Sequence, residues 1–319
     1  MQTSTTTSTA ADGVVRHIID WSPDEGTPVR AAIHISHGMA EHCARYARLA
    51  ERLTAAGFAV SAADHRGHGR TSEDGPARGI FAEVNGWATA AEDLRDMVRR
   101  LREQRPNVPL FLMGHSMGSL LCQQILTDGG EVPKLLAGVV LSGTSGKPPF
   151  IAAVGRYLAR FERWRLGPRG RSPLIHALTF QDFNNKFKPT RTECDWLSRD
   201  PAEVDKYVAD PDCGFQCSVQ LWIDVLDAIP QFTSDPAQAR VRTDLPMLLF
   251  AGDRDPVGED GKSVQSLADD LKRVGVSDLT CTLYPEARHE TLNETNREQV
   301  ETDLLAWLER VAVGGAASG

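Results

Sequence analysis

The segment Leu110–Phe111–Leu112–Met113–Gly114–His115–Ser116–Met117–Gly118 constrains this chain more than any other. It is an apolar run of strand length that ends in G-x-S-x-G. It then passes at once into a helical pattern through Leu120, Leu121, Ile125 and Leu126. A serine at a sharp strand-to-helix turn sits in a strained backbone conformation, and its neighbours at two residues' distance must be small so that strand and helix can approach. Such a turn lifts the hydroxyl clear of the sheet and aims the amides of the new helix at whatever binds there. The segment is therefore read as a nucleophile elbow with Ser116 at its tip.

A nucleophilic serine needs a base, an orienting acid and an oxyanion hole. At a strand-to-helix elbow the acid and then the histidine follow the serine in chain order. Met247–Ala251 reads as a second buried strand and runs into Gly252–Asp253–Arg254–Asp255–Pro256. Leu279–Tyr284 reads as a third, with His289 a short loop beyond it. An acid and a histidine thus each follow the C-terminal end of a strand, the edge where sites form in open α/β sheets. Both Asp253 and Asp255 leave the same strand. Pro256 restricts Asp255 to an extended backbone, which favours it as the orienting acid, and Asp253 is the alternative. For the oxyanion, the strand-like Val29–Ile35 stops at Ser36–His37–Gly38–Met39. The expected donors are the amide of Met117, directly after the nucleophile, and that of Met39, after the H-G pair.

Around these segments, strands are expected at 14–20, 29–35, 58–62, 110–113, 137–141, 247–251 and 279–284. Helices are expected at 46–56, 87–104, 117–127, 263–274 and 297–311. Strands alternating with helices mean a mostly parallel sheet covered on both faces, an α/β class. In the last helix, Val300, Leu304, Leu308 and Val311 recur at helical spacing and would dock one face on that sheet. The alternation breaks between 143 and 242, where helical segments are interrupted by proline and glycine. A helical cap over the strand ends is expected there, inserted between a core of 14–142 and its continuation at 243–313. Within it Trp222, Val225, Leu226 and Ile229 form one apolar face, read as core packing first and substrate wall second.

In 150–165, Phe150, Ile151, Val154, Leu158, Phe161 and Trp164 share a helical face, and Arg156, Arg160 and Arg163 fall elsewhere. Two readings stand: a cap helix packed on the core with a solvated outer face, or a peripheral contact with a membrane or micelle.

Composition bounds the rest. A net charge of −8 argues against a nucleic-acid partner, whose footprint would be basic. No apolar run approaches the roughly 20 residues of a membrane span. Residues 1–13, rich in threonine and serine, lack the marks of a secretory signal and read as a disordered tail, as do 314–319. With no signal, reduced cysteines in a cytoplasmic setting are the default. The six cysteines show no zinc spacing, and Cys213-x-x-x-Cys217 lacks a second half, so no metal and no cofactor are expected.

Five motifs carry a resemblance. They are HGMAEHCARY (37–46), DHRGHGRTS (64–72), GHSMG (114–118), GDRDPV (252–257) and YPEARHE (284–290). Together and in this order they resemble the monoacylglycerol lipase and lysophospholipase branch of the α/β-hydrolases, which are serine aminopeptidase S33-like. The resemblance implies an α/β-hydrolase fold and a triad of Ser116, Asp255 and His289, with Met39 and Met117 as oxyanion donors. LSRDPAEVDKY (197–207) resembles the cap of these lipases. By that likeness Arg45, Glu203 and Tyr207 line the pocket for the alcohol of the substrate; Trp222, from the apolar face of the insertion, is a further candidate for substrate binding. Ser119 replaces a usual glycine. Leu292 replaces a histidine that lies near the glycerol in the animal lipase, removing one expected donor.

The resulting expectation is a serine ester hydrolase for single-acyl lipids such as monoacylglycerols or lysophospholipids. A general carboxylesterase on the same machinery is the nearest rival. A non-catalytic ligand-binding member of the fold is more distant, because all three triad residues are present. Ser116 argues against dehalogenase and epoxide hydrolase chemistry, which uses an aspartate at that position.

Overall fold

A computed structural model describes residues 1–73, 75, 77–148 and 150–316. Eight strands form one sheet: β1 (Gln2–Thr9), β2 (Val15–Ser22), β3 (Ala31–Ser36), β4 (Phe58–Ala63), β5 (Leu110–His115), β6 (Gly138–Ser142), β7 (Met247–Gly252) and β8 (Leu279–Tyr284). Their spatial order is β1-β2-β4-β3-β5-β6-β7-β8. The pairs β1/β2 and β2/β4 are antiparallel, and every pair from β4 to β8 is parallel. The central strands are buried along their whole length, and their side chains alternate between the two faces.

Leu110, Leu112, Val139, Leu141 and Leu249 face one layer, built by α2 (Gly86–Gln104), α3 (Met117–Thr127) and α10 (Lys262–Arg273). Phe111, Met113, Val140, Leu248 and Phe250 face the other, built by α1 (Ala47–Ala55) and α11 (Arg297–Ala316). Val300, Leu304, Leu308 and Val311 all join this second layer. α11 thereby anchors the chain shortly after His289.

Between β6 and β7 the chain leaves the sheet for a helical insertion. It comprises α4 (Phe150–Leu166), α5 (Pro173–His176), α6 (Asp182–Asn185), α7 (Pro201–Ala209), α8 (Val219–Thr233) and α9 (Asp235–Gln238). α4 packs on α8 through Ala159, Val219 and Ile223. At the margin of that seam Arg156 and Arg160 pair with Asp227 at 2.9 and 2.7 Å, and Arg163 donates to Gln220 at 2.6 Å. The outer face carries aromatic side chains, with Tyr157 77% and Trp164 81% exposed beside Val154 and Phe161. α4 is thus a helix packed within the insertion with an exposed outer face, and that face carries large apolar side chains. The side chains of Phe150 and Ile151 lie outside the described residues.

The expectation of a disordered N-terminus is also overturned. Gln2–Thr9 pairs with β2 over eight residues, from Gln2 opposite Ser22 to Thr9 opposite Val15. Its side chains stay almost wholly exposed, so composition carried no sign of it. A preformed edge supplies the hydrogen-bond ladder, and β-branched threonine suits a strand exposed on both faces. Arg16 and Arg100 add bonds to Ser8 and Thr6, and the terminal amine meets Asp24 at 2.6 Å. At the other end α11 runs to Ala316 rather than giving way to a tail at 314, and 317–319 lie outside the described residues. Deleting residues 2–9 is expected to lower the thermal midpoint by roughly 2–8 °C, as for a loss of about 1–2 kcal/mol in a large domain, with ester turnover retained. An unchanged midpoint would show that β1 adds nothing to the fold.

Candidate active site

Ser116 stands between the end of β5 and the start of α3 with φ 49° and ψ −122°. A non-glycine residue held there costs on the order of 1–3 kcal/mol, and the surroundings must impose it. Its amide donates to the Ser142 carbonyl of the neighbouring strand at 2.9 Å. A Cβ on Gly118 would lie 2.1 Å from the Ser36 carbonyl oxygen, and one on Gly114 would lie 2.5 Å from that of Gly118. No side chain fits at either place. Ser119 is accommodated without loss, since its hydroxyl donates to the Ser116 carbonyl at 2.6 Å and meets Thr144 Oγ1 at 2.8 Å.

Gly252 repeats the device at the end of β7: a Cβ there would lie 1.9 Å from the Ala287 carbonyl. The loop from β8 can therefore lie against the β7 end, with Asp253 and Arg254 amides bonded to Tyr284 and Ala287. This contact brings His289 to Asp255. Both Asp255 carboxylate oxygens are 2.9 Å from His289 Nδ1, and Oδ1 also accepts from the Val257 amide at 2.9 Å. Asp255, the aspartate that Pro256 favours over Asp253, is the one that meets the histidine. Asp253 keeps a buried Oδ1 with no partner.

His289 lies between Trp196, at 5.1 Å between ring centroids, and His115, at 4.9 Å. Burial disfavours its cation, but the Asp255 carboxylate outweighs burial and raises the pKa above that of a free imidazole. Burial and the neighbouring His289 lower that of His115. Ser116 and His289 face one cavity, although no hydrogen bond joins their side chains. Such bonds often close only around substrate.

The loop after β3 completes the arrangement. Met39 and Met117 both line the cavity beside Ser116. Neither amide is bonded to a protein acceptor among the described residues. Ala40, at φ 55°, turns its carbonyl toward the insertion, where the Tyr207 hydroxyl and the Gly214 amide both donate to it at 2.9 Å. Glu41 accepts from the Gly38 amide and from the Tyr46 hydroxyl. Arg45 then bridges Glu41 and Glu290, with all three contacts at 2.7 Å. Burial raises the pKa of Glu290, but Arg45 prevails and holds it at about 2. The oxyanion loop and the histidine loop thus share one buried cation.

The cavity together with the open space at its mouth comes to about 1160 Å³. Tyr207 and Trp222 line it, as do Val225, Leu226 and Ile229, so the apolar face of α8 serves as cavity wall as well as core. Arg45 lies one layer behind, its guanidinium 4.8 Å from the Tyr207 ring and spent on two carboxylates. Glu203 is not part of the cavity, which corrects its expected place. The first turn of α7 points it away, where Arg48 and Lys206 bind its carboxylate at 2.9 and 2.8 Å. Leu292 faces a smaller polar recess with Arg45 and Glu290.

Sequence reasoning missed His115, Glu290 and the aromatic wall of Phe180 and Trp196. The first two sit inside the quoted motifs, at the variable position of G-x-S-x-G and directly after His289. The wall lies in irregular parts of the insertion, where no periodicity marks it.

Residues 27–296 match the family described as serine aminopeptidase, S33. The chain is 29% identical over 307 residues to a monoacylglycerol lipase of Mycolicibacterium smegmatis, covering 94% of this chain and 95% of that one. It is 30% identical over 312 residues to a monoglyceride lipase of Rattus norvegicus, covering 96% and 91%. Among solved structures, a thermostable carboxyl esterase from Bacillus coagulans in complex with glycerol overlays with a TM-score of 0.87 at 26% identity, covering 98% and 99%. A glycine-braced serine elbow, a buried aspartate–histidine pair and these likenesses agree: the chain belongs to the serine aminopeptidase S33 family of α/β-hydrolases.

Proposed function

We propose that this protein hydrolyses single-acyl lipid esters, monoacylglycerols or lysophospholipids, through an acyl-enzyme on Ser116. The observation that carries the reading is an apolar cavity walled by α8 and the insertion aromatics, with Ser116 and His289 at one end and carboxylates beside them. Such walls suit one acyl chain, and the Glu41 and Glu290 end suits the hydroxyls of the alcohol.

Ser116 Oγ attacks the ester carbonyl carbon and passes its proton to His289 Nε2. Asp255 holds Nδ1 and stabilises the cation. The oxyanion is held by the amides of Met39 and Met117, each such donor being worth about 3 kcal/mol. The carbon–oxygen bond to the alcohol breaks as His289 returns the proton to the leaving oxygen. Water, deprotonated by His289, then attacks the acyl carbon and frees both Ser116 and the fatty acid. These steps call for no metal or organic cofactor.

The exposed Tyr157, Phe161 and Trp164 of α4, with Leu174 and Leu178 nearby, support a peripheral contact with a membrane or micelle from which substrate enters. No helix among the described residues is long and apolar enough to cross a membrane. A cytoplasmic setting is part of the reading, supported by six free cysteines.

Glu203 lies outside the cavity, and Leu292 supplies no donor. Both favour the second reading, a general carboxylesterase, over strict glycerol recognition. A hydrolysis panel at matched chain length separates them. Monoacylglycerols are expected to exceed ethyl esters about tenfold in kcat/KM, the worth of about one hydrogen bond. Glu203→Ala should leave that ratio unchanged. Equal rates on both esters would support the carboxylesterase.

Asp255→Asn should cost about 10⁴ in turnover, by analogy with serine proteases, and Asp253→Asn far less. Only neutral His289 acts as base, and its pKa is raised. Activity should therefore fall as pH drops through a value above the roughly 6.5 of free imidazole, and Asp255→Asn should move that limb to lower pH. The reverse ranking of the two aspartates would overturn the assignment.

A further inference from the structure

His42, Asp210 and Cys213 present one ligating atom each, all within 4.8 Å of one another. His42 closes the loop that carries Met39, whereas Asp210 and Cys213 belong to one tight turn of the insertion. That turn is set by the Cys213 amide on the Asp210 carbonyl at 3.1 Å and by the Asp212 amide on Asp210 Oδ1 at 2.8 Å. It leaves Asp210 Oδ2 facing His42 Nε2 at 2.9 Å. Two ligands three residues apart on a turn, joined by a distant third, is the spacing logic of zinc sites. Cys213 is nine-tenths buried, and its thiol has no hydrogen-bond partner among the described residues. His42 and Asp210 keep side-chain exposures of 16% and 31%, which gives an ion a way in.

We propose that His42, Asp210 and Cys213 form a binding site for a zinc-class divalent cation that joins the oxyanion loop to the insertion.

The donor set selects the ion. A thiolate, an imidazole and a carboxylate favour zinc or cobalt over magnesium or calcium, whose ligands are oxygens. On binding, the thiol gives its proton to water, so ligand charges of −1, −1 and 0 balance a dication. Three protein ligands leave the fourth tetrahedral position to water. A second cluster, His17, Cys43 and Asp64, lacks both features. It is wholly buried, and its carboxylate already accepts from the Cys43 and Arg70 amides.

Binding must also move the loop. Zinc–ligand distances near 2.0–2.1 Å place tetrahedral nitrogen and oxygen about 3.3 Å apart, wider than the present 2.9 Å contact. His42 is three residues from Met39, and the intervening Ala40 carbonyl is held by Tyr207 and Gly214 of the insertion. A small displacement there reaches the Met39 amide. The effect on turnover rests on the proposed role of Met39; binding itself does not.

The test titrates the full chain with Zn²⁺ against a chromophoric chelator, and with Co²⁺ by absorption. One equivalent of zinc bound in the micromolar range is expected, with a thiolate-to-cobalt charge-transfer band in the near ultraviolet. Both should be lost in Cys213→Ser and His42→Gln and retained in Cys217→Ser. Saturating zinc should lower p-nitrophenyl ester turnover about tenfold, in keeping with the cost of small misplacements, and chelator should restore it. No binding in this range, no cobalt–thiolate band, or binding unchanged in both ligand variants would overturn the site. Inhibition that persists in Cys213→Ser would place the metal on His289 instead. Stoichiometric binding with unchanged turnover would overturn the coupling to the oxyanion loop alone.

Discussion

The close approach of α3 to the end of β3 is the contact on which the rest of the site depends. A Cβ on Gly118 would overlap the Ser36 carbonyl, so the helix can seat there only because that atom is missing. Seating it brings Met117, the first residue of α3, beside the loop that carries Met39. It also leaves Ser116 no choice but its left-handed backbone at the tip. The placement of Ser116 and of the Met39 and Met117 amides thus follows from one backbone contact. Gly252 against Ala287 performs the same service for the histidine loop.

Around these contacts one buried cation ties two loops together. Arg45 neutralises Glu41 and Glu290 together, and through them it touches both the Gly38 amide and the residue after His289. A buried carboxylate left alone would be costly, and a shared guanidinium makes two of them tolerable. Trp196 packs on His289, and the Glu290 amide donates to the Leu197 carbonyl at 2.8 Å. The insertion therefore supports the catalytic loop as well as roofing it. Removing water from the cavity strengthens each electrostatic interaction inside.

The elbow and the parallel sheet were legible in the sequence because both rest on local rules. Small residues flank a strained serine, and continuous apolar runs mark strands buried on both faces. His289 was legible from chain order. The choice of Asp255 over Asp253 was legible through Pro256, and the β8 loop brings His289 to that carboxylate. Glu203 was misplaced because its motif identifies the helix but not the partner of its carboxylate, which is Arg48 of α1. β1 escaped notice because its stability comes from the edge of β2 rather than from side chains of its own. The aromatic stripe of α4 faces solvent, because the helix packs on α8 through Ala159 instead. Local periodicity marks the stripe but not the direction it faces.

Mass spectrometry of the protein after exposure to a long-chain alkyl fluorophosphonate tests the central claim most directly. One adduct per chain, located on Ser116 and formed far more slowly in His289→Ala, is the expected result. An adduct at any other residue, or labelling of Ser116 that is indifferent to His289, would contradict it.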